Sequence, residues 1–421
     1  MTTAQRAALG AALIIGLTGV ALPASAAPQP APRTEKASVA PDGTDGDGWS
    51  TARGLSADGR YLAFVSQAAN LVADDTNGES DAFVRDLRTG VTRRVNTTAA
   101  GGQSDARVFD LSLSADGRYA AFGSDATDLV PGDTGGRSHV YVKDLRTGAI
   151  ERIEDGFAPG YDTAGAPVIS ADGRYVALVA SRSELSPEAD GDGRVYRVDR
   201  RTDTAVRVSE VPDPDRRRSV TNLSISADGK RVGYQFFVPF PSRGDWSDIH
   251  VRDVPSGKLW QVDKAPDGAV PDGQSEYSSL SADGRYALFR SLDSQLTPGD
   301  TNGTQNAFIR DLKTGDLRRI DAADPAEATG SAALSADNRH LTFVASAPAA
   351  GDHTTHVYVR DLRTGDTELV SADTEGGPND EEAHSPVIDA QGRRVAFTSS
   401  SADLVPGDSY DHQHAYVRHL R

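Results

Sequence analysis

The 421-residue sequence contains no cysteine, a single methionine and only 6% aromatic residues. Without cysteine the chain can form neither a disulfide nor a thiolate metal site, and it has no thiol nucleophile. The lipid-anchored type of bacterial secreted protein, which needs a cysteine after its signal, is excluded as well. Beyond the N-terminus no apolar run is long enough for a bilayer, so we expect no membrane span.

Basic residues are also scarce relative to acidic ones. The chain has 44 Lys and Arg against 61 Asp and Glu, which gives a net charge of −17. Nucleic-acid binding requires clusters of Lys and Arg, so this balance argues against a nucleic-acid partner. It favours a well-solvated surface, with cations or basic proteins as partners.

The N-terminus has the order of a secretory signal. Arg6 precedes an apolar run over 7–22, which the small-residue triplet ASA at 24–26 follows. This order predicts a signal peptide over residues 1–26, a short linker over 27–32, and a secreted, extracellular or periplasmic location. The alternative, a membrane anchor, is weaker because the run is short and contains Gly and Thr.

One phrase recurs through the rest of the chain. SADGRYLAF begins at Ser56, and related copies begin at Ser114, Ser170, Ser226, Ser281 and Ser335, with a weaker one, DAQGRRVAF, at Asp389. The starts are 54 to 58 residues apart. A regular period of this length indicates stacked supersecondary units, so the repetition reflects architecture.

The first repeat predicts four antiparallel strands. The Asp58-Gly59 pair is a strong hairpin signal between two strands rich in β-formers. A polar loop then leads to a third strand over 81–86, and the turn LRTG leads to a fourth over 91–96. Seven such units without helical periodicity predict an all-β fold, a seven-bladed β-propeller of four-stranded blades.

The third strand ends in a repeated aspartate. It occurs in VRDLRTG and its copies at Asp86, Asp144, Asp253, Asp311 and Asp361, with a degraded copy, RVDRRTD, from Arg197. A carboxylate that recurs beside a Thr-Gly turn is predicted to cap that turn, and we assign it no catalytic role.

The two ends of the chain are predicted to close the ring. The last repeat stops after its third strand, over 414–420, while a spare fourth-strand segment, Arg33–Val39, precedes the first repeat. Pairing them removes two open sheet edges. Residues 33–421 are therefore expected to form one propeller domain, as a monomer, that leaves no room for a separate catalytic domain.

The SADGRYxAF and VRDLxTG pair resembles the TolB-like propellers built from WD40-like (PD40) repeats, which are common in exported bacterial proteins. The resemblance covers about residues 33–421. It implies a binding scaffold, as in most members of that family, some of which are fused to a peptidase domain. It implies no catalytic residue to carry over.

Loop lengths separate two faces of the predicted ring. The turns between strands one and two and between strands three and four are short and nearly identical. The other connections are long and varied, so binding is expected on that long-loop face. Phe237, Phe240 and Trp246, in the insertion QFFVPFPSRGDWSD, are candidate partner-binding residues, unless they only cover their own blade.

Two further features of the long-loop face are candidate sites. Calcium ligands are suggested by DDTNGESD and GDTNGTQN, through Asp75, Asn77, Asp81, Asp300 and Asn302. The alternative is ordinary turn chemistry, and no other cofactor is expected. Of the nine histidines only His384 lies near the start of a predicted innermost strand, so the histidines are predicted at the surface or rim.

We therefore expect a non-enzymatic scaffold that binds a protein or another extracellular ligand. The chain has no G-x-S-x-G motif, and a thiol nucleophile is excluded. The alternative is a polysaccharide lyase or hydrolase built on the propeller, with its site at the channel mouth, because carboxylates that converge in space are not visible in a sequence.

Overall fold

The computed structural model describes residues 32–132, 137–153, 157, 163–181, 193–209, 219–237, 247–265, 274–298, 300, 303–322, 328–346, 354–409 and 411–420. In this part of the chain the regular elements are β-strands, which form seven four-stranded antiparallel sheets. The predicted seven-bladed, all-β propeller is confirmed. None of the described residues belong to a helix that could cross a membrane.

Blades 1 to 3 follow one another along the chain. Blade 1 contains β2 (Ser50–Leu55), β3 (Tyr61–Ser66), β4 (Asp81–Asp86) and β5 (Val91–Arg94); blade 2 contains β6 (Val108–Leu113), β7 (Tyr119–Ser124), β8 (His139–Asp144) and β9 (Ile150–Ile153); blade 3 contains β10 (Thr163–Ile169), β11 (Tyr175–Ser181), β12 (Arg194–Asp199) and β13 (Thr204–Arg207).

Blades 4 to 6 repeat this order, and blade 7 differs in its outer strand. Blade 4 contains β14 (Ser219–Ile225), β15 (Arg231–Phe237), β16 (Ser247–Asp253) and β17 (Leu259–Gln261); blade 5 contains β18 (Ser275–Leu280), β19 (Tyr286–Ser291), β20 (Asn306–Asp311) and β21 (Leu317–Ile320); blade 6 contains β22 (Ala328–Leu334), β23 (His340–Ser346), β24 (Thr355–Asp361) and β25 (Thr367–Leu369); blade 7 contains β26 (Ala383–Ile388), β27 (Arg394–Ser399), β28 (His414–His419) and β1 (Arg33–Lys36). The first strands of successive blades contact one another around the ring, so they line the central channel.

The SADGR turn is fixed by its own side chains. Ser56 Oγ donates to Asp58 Oδ1 at 2.6 Å and accepts a hydrogen bond from Tyr61 N at 2.9 Å. Gly59 has a φ of +67°, in the left-handed region that glycine adopts without strain. The same pair of serine bonds recurs at Ser114, Ser170, Ser226, Ser281 and Ser335.

These turns also join each blade to the next. Ala57 N donates to Ala115 O at 2.7 Å, and Ala115 N donates to Ala171 O at 3.0 Å, so a belt of backbone bonds links these blades on the short-turn side of the ring. Beside the belt, the Tyr61 ring covers Gly117, where a Cβ would lie 2.4 Å from the ring. The repeated sequence therefore determines contacts between blades as well as the turns themselves.

The repeated aspartate caps its turn, as predicted. Asp86 accepts a hydrogen bond from Arg88 N at 3.0 Å, and it also pairs with Arg60, whose Nη2 lies 2.6 Å from Oδ2. The hydrogen bond from the Arg60 guanidinium lowers the pKa of Asp86 to about 2. Equivalent Arg–Asp pairs occur at Arg118–Asp144, Arg174–Asp199, Arg285–Asp311 and Arg339–Asp361.

Replacing Asp311 with Asn is expected to lower the free energy of unfolding by about 1 kcal/mol, the usual scale for loss of one cap. The Arg285 hydrogen bond lowers the pKa of Asp311, so the carboxylate stabilises the fold above its unfolded pKa of about 4. The deficit of the variant should therefore shrink as the pH falls below that value. Urea unfolding at pH 7 and pH 3 measures both effects.

The control for Asp311→Asn is Glu375→Gln, which removes the same charge from an exposed loop position. It should leave the free energy of unfolding nearly unchanged. A loss above about 3 kcal/mol for Asp311→Asn would be too large for a turn cap and would contradict this interpretation.

Aromatic pairs between the second and third strands fill the blades. In blade 1 the rings of Phe64 and Phe83 stack with centroids 5.5 Å apart, and both are fully buried. The same cross-strand pair recurs as Phe122–Tyr141, Phe289–Phe308, Phe343–Tyr358 and Phe397–Tyr416. Such pairs stabilise a sheet beyond the burial of their area, which explains why six of the seven copies of YLAF end in an aromatic residue; the third repeat has Leu178 there.

The N-terminal strand closes the ring, as predicted. β1 pairs antiparallel with β28, with Arg33 opposite His419 and Lys36 opposite Tyr416. Lys36 Nζ forms ion pairs with Asp45, at 2.7 Å, and with Asp408. Side-chain exposure is 5% for Lys36 and 0% for Asp408, so a buried charge pair fastens the closing strand.

Candidate functional site

The seven inner strands share an irregularity. Each shifts its register against the second strand of its blade, so one or two residues at mid-strand have no partner there. Such bulges bend a strand and redirect side chains, and they are common next to active sites. The channel wall is therefore built from bulges.

Three of these bulges hold a residue in the left-handed region. Ala166, Asn222 and Ser385 have φ values of +50°, +52° and +52°. Each stands four residues before the turn residue that begins its SADG-type sequence, so the three share one position of the repeat. A left-handed φ is strained for a residue with a side chain. Three blades therefore hold the same strained backbone conformation at the same position of the channel wall.

Ionisable side chains on the inner strands concentrate in one sector. The seven strands carry Arg53, Asp110, Glu276 and His384, and no other charged residue or histidine. Glu276 lies on blade 5, where Arg290 Nε donates to it at 3.0 Å. The other three lie on the neighbouring blades 7, 1 and 2, and we call them the channel triad: His384, Arg53 and Asp110.

His384 is held as a neutral imidazole with a defined tautomer. Gln413 Nε2 donates to His384 Nε2 at 2.6 Å, so His384 Nδ1 carries the proton and donates to Ser385 Oγ at 2.9 Å. Burial lowers the pKa of His384, an effect that Glu382 opposes and Arg53 reinforces. The basic nitrogen therefore stays unprotonated at neutral pH.

Arg53 is the cation of this sector. Its guanidinium interacts electrostatically with both His384 and Asp110, although the three residues belong to different blades. Burial raises the pKa of Asp110, and Arg53 opposes that rise, as does a hydrogen bond from Ala166 N. Arg53 itself is exposed, so its remaining donors face the channel.

The channel triad lies toward the long-loop side of the ring. Each inner strand begins where the chain arrives from a long connection, and His384 is the second residue of β26. Gln413 follows the long loop of blade 7, and its carbonyl accepts a hydrogen bond from Ser50 N at 2.8 Å. Sequence reasoning placed a possible catalytic site at the channel mouth, and the charged sector lies there.

The described residues offer no ready metal site at the channel. No three His, Asp or Glu side chains among them converge in a way that could hold a metal ion. The charged side chains that act on His384 are the Arg53 guanidinium and the Glu382 carboxylate. We therefore derive no step that passes through a metal.

The predicted aromatic site lies largely outside the described residues. Phe237 is the last residue of β15, and Phe240 and Trp246 belong to the stretch that the structure does not describe. Their role in partner binding stays a prediction.

The predicted calcium ligands meet cationic side chains. Asp75 and Asp81 lie on either side of Arg94, at 3.6 and 3.2 Å, while Asn77 Nδ2 donates to Ser104 O at 3.1 Å. In blade 5, Asp300 pairs with Arg319 at 3.0 Å; Asn302 is outside the described residues. Calcium binding stays a prediction, and these guanidinium groups would compete with the ion.

The prediction that the histidines lie at the surface or rim is wrong for His414. Its side chain is fully buried, and Nδ1 lies 3.1 Å from Ser38 Oγ. The sequence also gave no reason to select Arg53 or Asp110. One signal was available: these charges stand in strand positions where the other repeats carry uncharged residues, namely Ala, Asn, Ser, Pro, Leu or Tyr.

No protein-family model and no curated protein matches this sequence. Solved structures do match it. An oligogalacturonate lyase in complex with manganese has a TM-score of 0.61 at 14% identity, over 92% of this chain and 93% of that chain. A prolyl endopeptidase has a TM-score of 0.57 at 15% identity, over 88% of this chain but 50% of that chain. These identities show the shared fold alone.

A putative TolB from Agrobacterium tumefaciens is also similar, at 19% identity, over 80% of this chain and 96% of that chain. The TM-score is 0.43, so the likeness carries no argument about function. The propeller that the resemblance implies is confirmed by the seven four-stranded sheets themselves, and the PD40 repeat type stays a prediction.

The expectation that this ring is not an enzyme is wrong as it was argued. It depended on the absence of a separate catalytic domain and of a nucleophile motif. The oligogalacturonate lyase shows that a propeller of this extent can itself be an enzyme, since the match covers 93% of that chain. A channel site needs neither a second domain nor a nucleophilic serine.

Proposed function

We propose that the protein is a propeller lyase that cleaves an acidic polysaccharide at the mouth of its channel. The observation that carries the proposal is the channel triad, in which Arg53 interacts with both a neutral imidazole and a carboxylate. The oligogalacturonate lyase among the similar structures supports the reaction class. The predicted signal peptide supports an extracellular polymer as the substrate.

Arg53 is suited to bind the carboxylate of a uronate residue. Its planar guanidinium can donate two parallel hydrogen bonds to a carboxylate, and its exposed position leaves it accessible from the channel. Removing a proton from the carbon beside a carboxylate places a second negative charge on that group. A fixed cation stabilises this developing charge, which is the largest electrostatic demand of the reaction.

His384 is suited to take the proton. Burial keeps its imidazole neutral, and the Nε2 lone pair accepts a hydrogen bond from Gln413, which the substrate must displace before Nε2 takes the proton. The proton leaves the carbon beside the carboxylate, and its bonding electrons form a carbon–carbon double bond as the bond to the glycosidic oxygen breaks. The imidazolium can return the proton to the departing oxygen, so atoms and charge balance without water.

Asp110 is assigned a positioning role. It lies on the strand next to Arg53 and accepts a hydrogen bond from Ala166 N, so it can fix the guanidinium relative to His384. Retaining or inverting hydrolysis requires two facing carboxyl groups. The inner strands supply Asp110 on blade 2 and Glu276 on blade 5, and Arg290 engages Glu276. This arrangement favours elimination over hydrolysis.

The purified protein should release products that absorb short-wavelength ultraviolet light from at least one polyuronate, because elimination leaves a double bond conjugated with the carboxylate. Polygalacturonate, alginate and a glucuronate-containing glycan are the substrates, and neutral starch is the control. Arg53→Met should lose the activity, and Arg53→Lys should retain part of it. New reducing ends without absorbance would indicate a hydrolase instead, and no cleavage of any polyuronate would exclude the proposal.

A further inference from the structure

A second cleft lies on the side of the ring opposite to the channel triad. It opens between blades 1 and 2, among the short turns, and its volume is about 860 Å³. Its lining includes Tyr61, Val91, Arg93, Lys143, Leu145 and Arg146. Volumes of this order are typical of small-molecule sites.

The cleft lacks an ion pair that fills the neighbouring junction. Between blades 2 and 3, Arg200 pairs with Glu151 at 2.5 Å and lies over the Tyr119 ring, 4.7 Å from its centroid. At the corresponding repeat positions, the junction of blades 1 and 2 has Leu145 and Arg93. A leucine replaces the stacked arginine, and an arginine replaces its carboxylate partner.

This exchange leaves cations without carboxylate partners. In the described part of the chain neither Arg93 nor Arg146 forms an ion pair, and both are exposed. Of the two carboxylates in the lining, Asp86 is bound by Arg60 at 2.6 Å, and Asp116 accepts hydrogen bonds from its own turn. The accessible charge of the cleft is therefore positive, on a chain whose net charge is −17.

Lys143 adds a buried cation to the same wall. Its exposure is 5%, and its Nζ partners among the described residues are Thr97 O and Thr97 Oγ1, at 3.0 and 2.7 Å. Burial lowers its pKa, with no carboxylate to oppose the effect. The corresponding cation of blade 5, Arg310, has Asp263 near it. A buried ammonium group without a counter-ion is costly, and a bound anion would offset that cost.

The cleft also presents an apolar surface. Val91 is 48% exposed, one of four exposed large hydrophobic side chains among the described residues. The Tyr119 ring carries two guanidinium groups, from Arg118 and Arg200, whereas in the described part of the chain Tyr61 carries only that of Arg60, at 4.7 Å. Tyr61, Val91 and Leu145 can therefore contact an apolar group beside the cations.

We propose that this cleft binds a small organic anion, a carboxylate or phosphate group attached to an apolar body. The anionic group binds Arg93 and Arg146, and the apolar body packs on Tyr61, Val91 and Leu145. The site is independent of the proposed lyase reaction, because it lies among the short turns and contains no member of the channel triad.

Calorimetric titration of the whole protein with benzoate, phenyl phosphate, inorganic phosphate and benzyl alcohol tests the proposal. Benzoate or phenyl phosphate should bind, and whichever binds more tightly identifies the anionic group. The two probes that lack either the charge or the apolar body should bind at least tenfold more weakly. Equal binding of inorganic phosphate and phenyl phosphate would refute the apolar half of the site.

Two variants locate the site. Arg93→Glu should weaken binding at least tenfold, because it reverses the charge that meets the anion. The double variant Leu145→Arg with Arg93→Glu rebuilds the closed junction of blades 2 and 3 and should abolish binding while the protein unfolds at its normal temperature. The matched variant is Arg318→Glu, the same change at the same repeat position of blade 5, where Arg318 and Leu362 line a smaller cleft of about 310 Å³; binding at the larger cleft should survive this change.

Wild-type binding by Arg93→Glu, or an equal loss in Arg318→Glu, would overturn the assignment. Absence of binding by every probe at millimolar concentration would also overturn it. Polyuronate cleavage by Arg93→Glu should equal that of the wild type, so failure of this site and failure of the lyase proposal are distinguishable.

Discussion

Replacing His384 with glutamine is expected to lower kcat/KM for polyuronate cleavage by a factor of about 10² to 10⁴, the usual contribution of a general base. Glutamine can keep hydrogen bonds to Gln413 and Ser385, so the channel wall should be unchanged. It cannot accept a proton from carbon. Initial rates of double-bond formation, followed by absorbance, measure the loss.

The pH dependence distinguishes a base from a structural histidine. Burial lowers the pKa of His384, so its neutral form should persist below the ordinary imidazole value of about 6.5. The wild-type rate should therefore begin to fall only below that pH, and the residual rate of His384→Gln should lack this limb. His356→Gln, on the third strand of blade 6, is the control. A wild-type rate in His384→Gln would place the base elsewhere.

Replacing Lys36 with methionine is expected to lower the free energy of unfolding by about 3 to 5 kcal/mol, because it leaves Asp408 buried without its charge partner. Methionine keeps most of the length and apolar area of the lysine side chain. The loss should therefore report the missing charge and not a cavity. Urea unfolding at pH 7, with unfolding followed by tryptophan fluorescence, provides the measurement.

Two further variants test the same closure. Arg33→Met changes the first residue of the same strand, where the side chain is 64% exposed, and it should cost less than about 1 kcal/mol. The double variant Lys36→Met with Asp408→Leu should be more stable than Lys36→Met alone, because no uncompensated charge remains. Equal stability of Lys36→Met and Arg33→Met would show that the ion pair does not fasten the ring.

The architecture could be predicted because its signals are local. The SADGR turn depends on Ser56, Asp58 and Gly59, which contact one another within five residues of sequence. Strands alternate over six or seven residues, and the aromatic residues of YLAF and DAFV meet across one hairpin. Seven copies of such signals give the blade count, and the unmatched strand at each end gives the closure.

The functional residues could not be predicted, because their meeting depends on the whole ring. Arg53, Asp110 and His384 belong to three repeats and approach one another only after β1 has closed the circle. Mid-strand bulges then shape the channel wall, and no local sequence rule fixes a bulge. A charged residue in a strand does not indicate a functional site unless its neighbours in space are known.

The contacts of the acidic loops and of the cleft also depend on the tertiary structure. The sequence grouped Asp75 and Asp81 as candidate calcium ligands, but only the fold shows that Arg94 lies between them. Likewise, Leu145 and Arg93 are unremarkable substitutions within their repeats, and they open a cleft only because the two blades face each other there. Local chemistry determined the blades of this protein, while long-range packing decided which side chains meet between them.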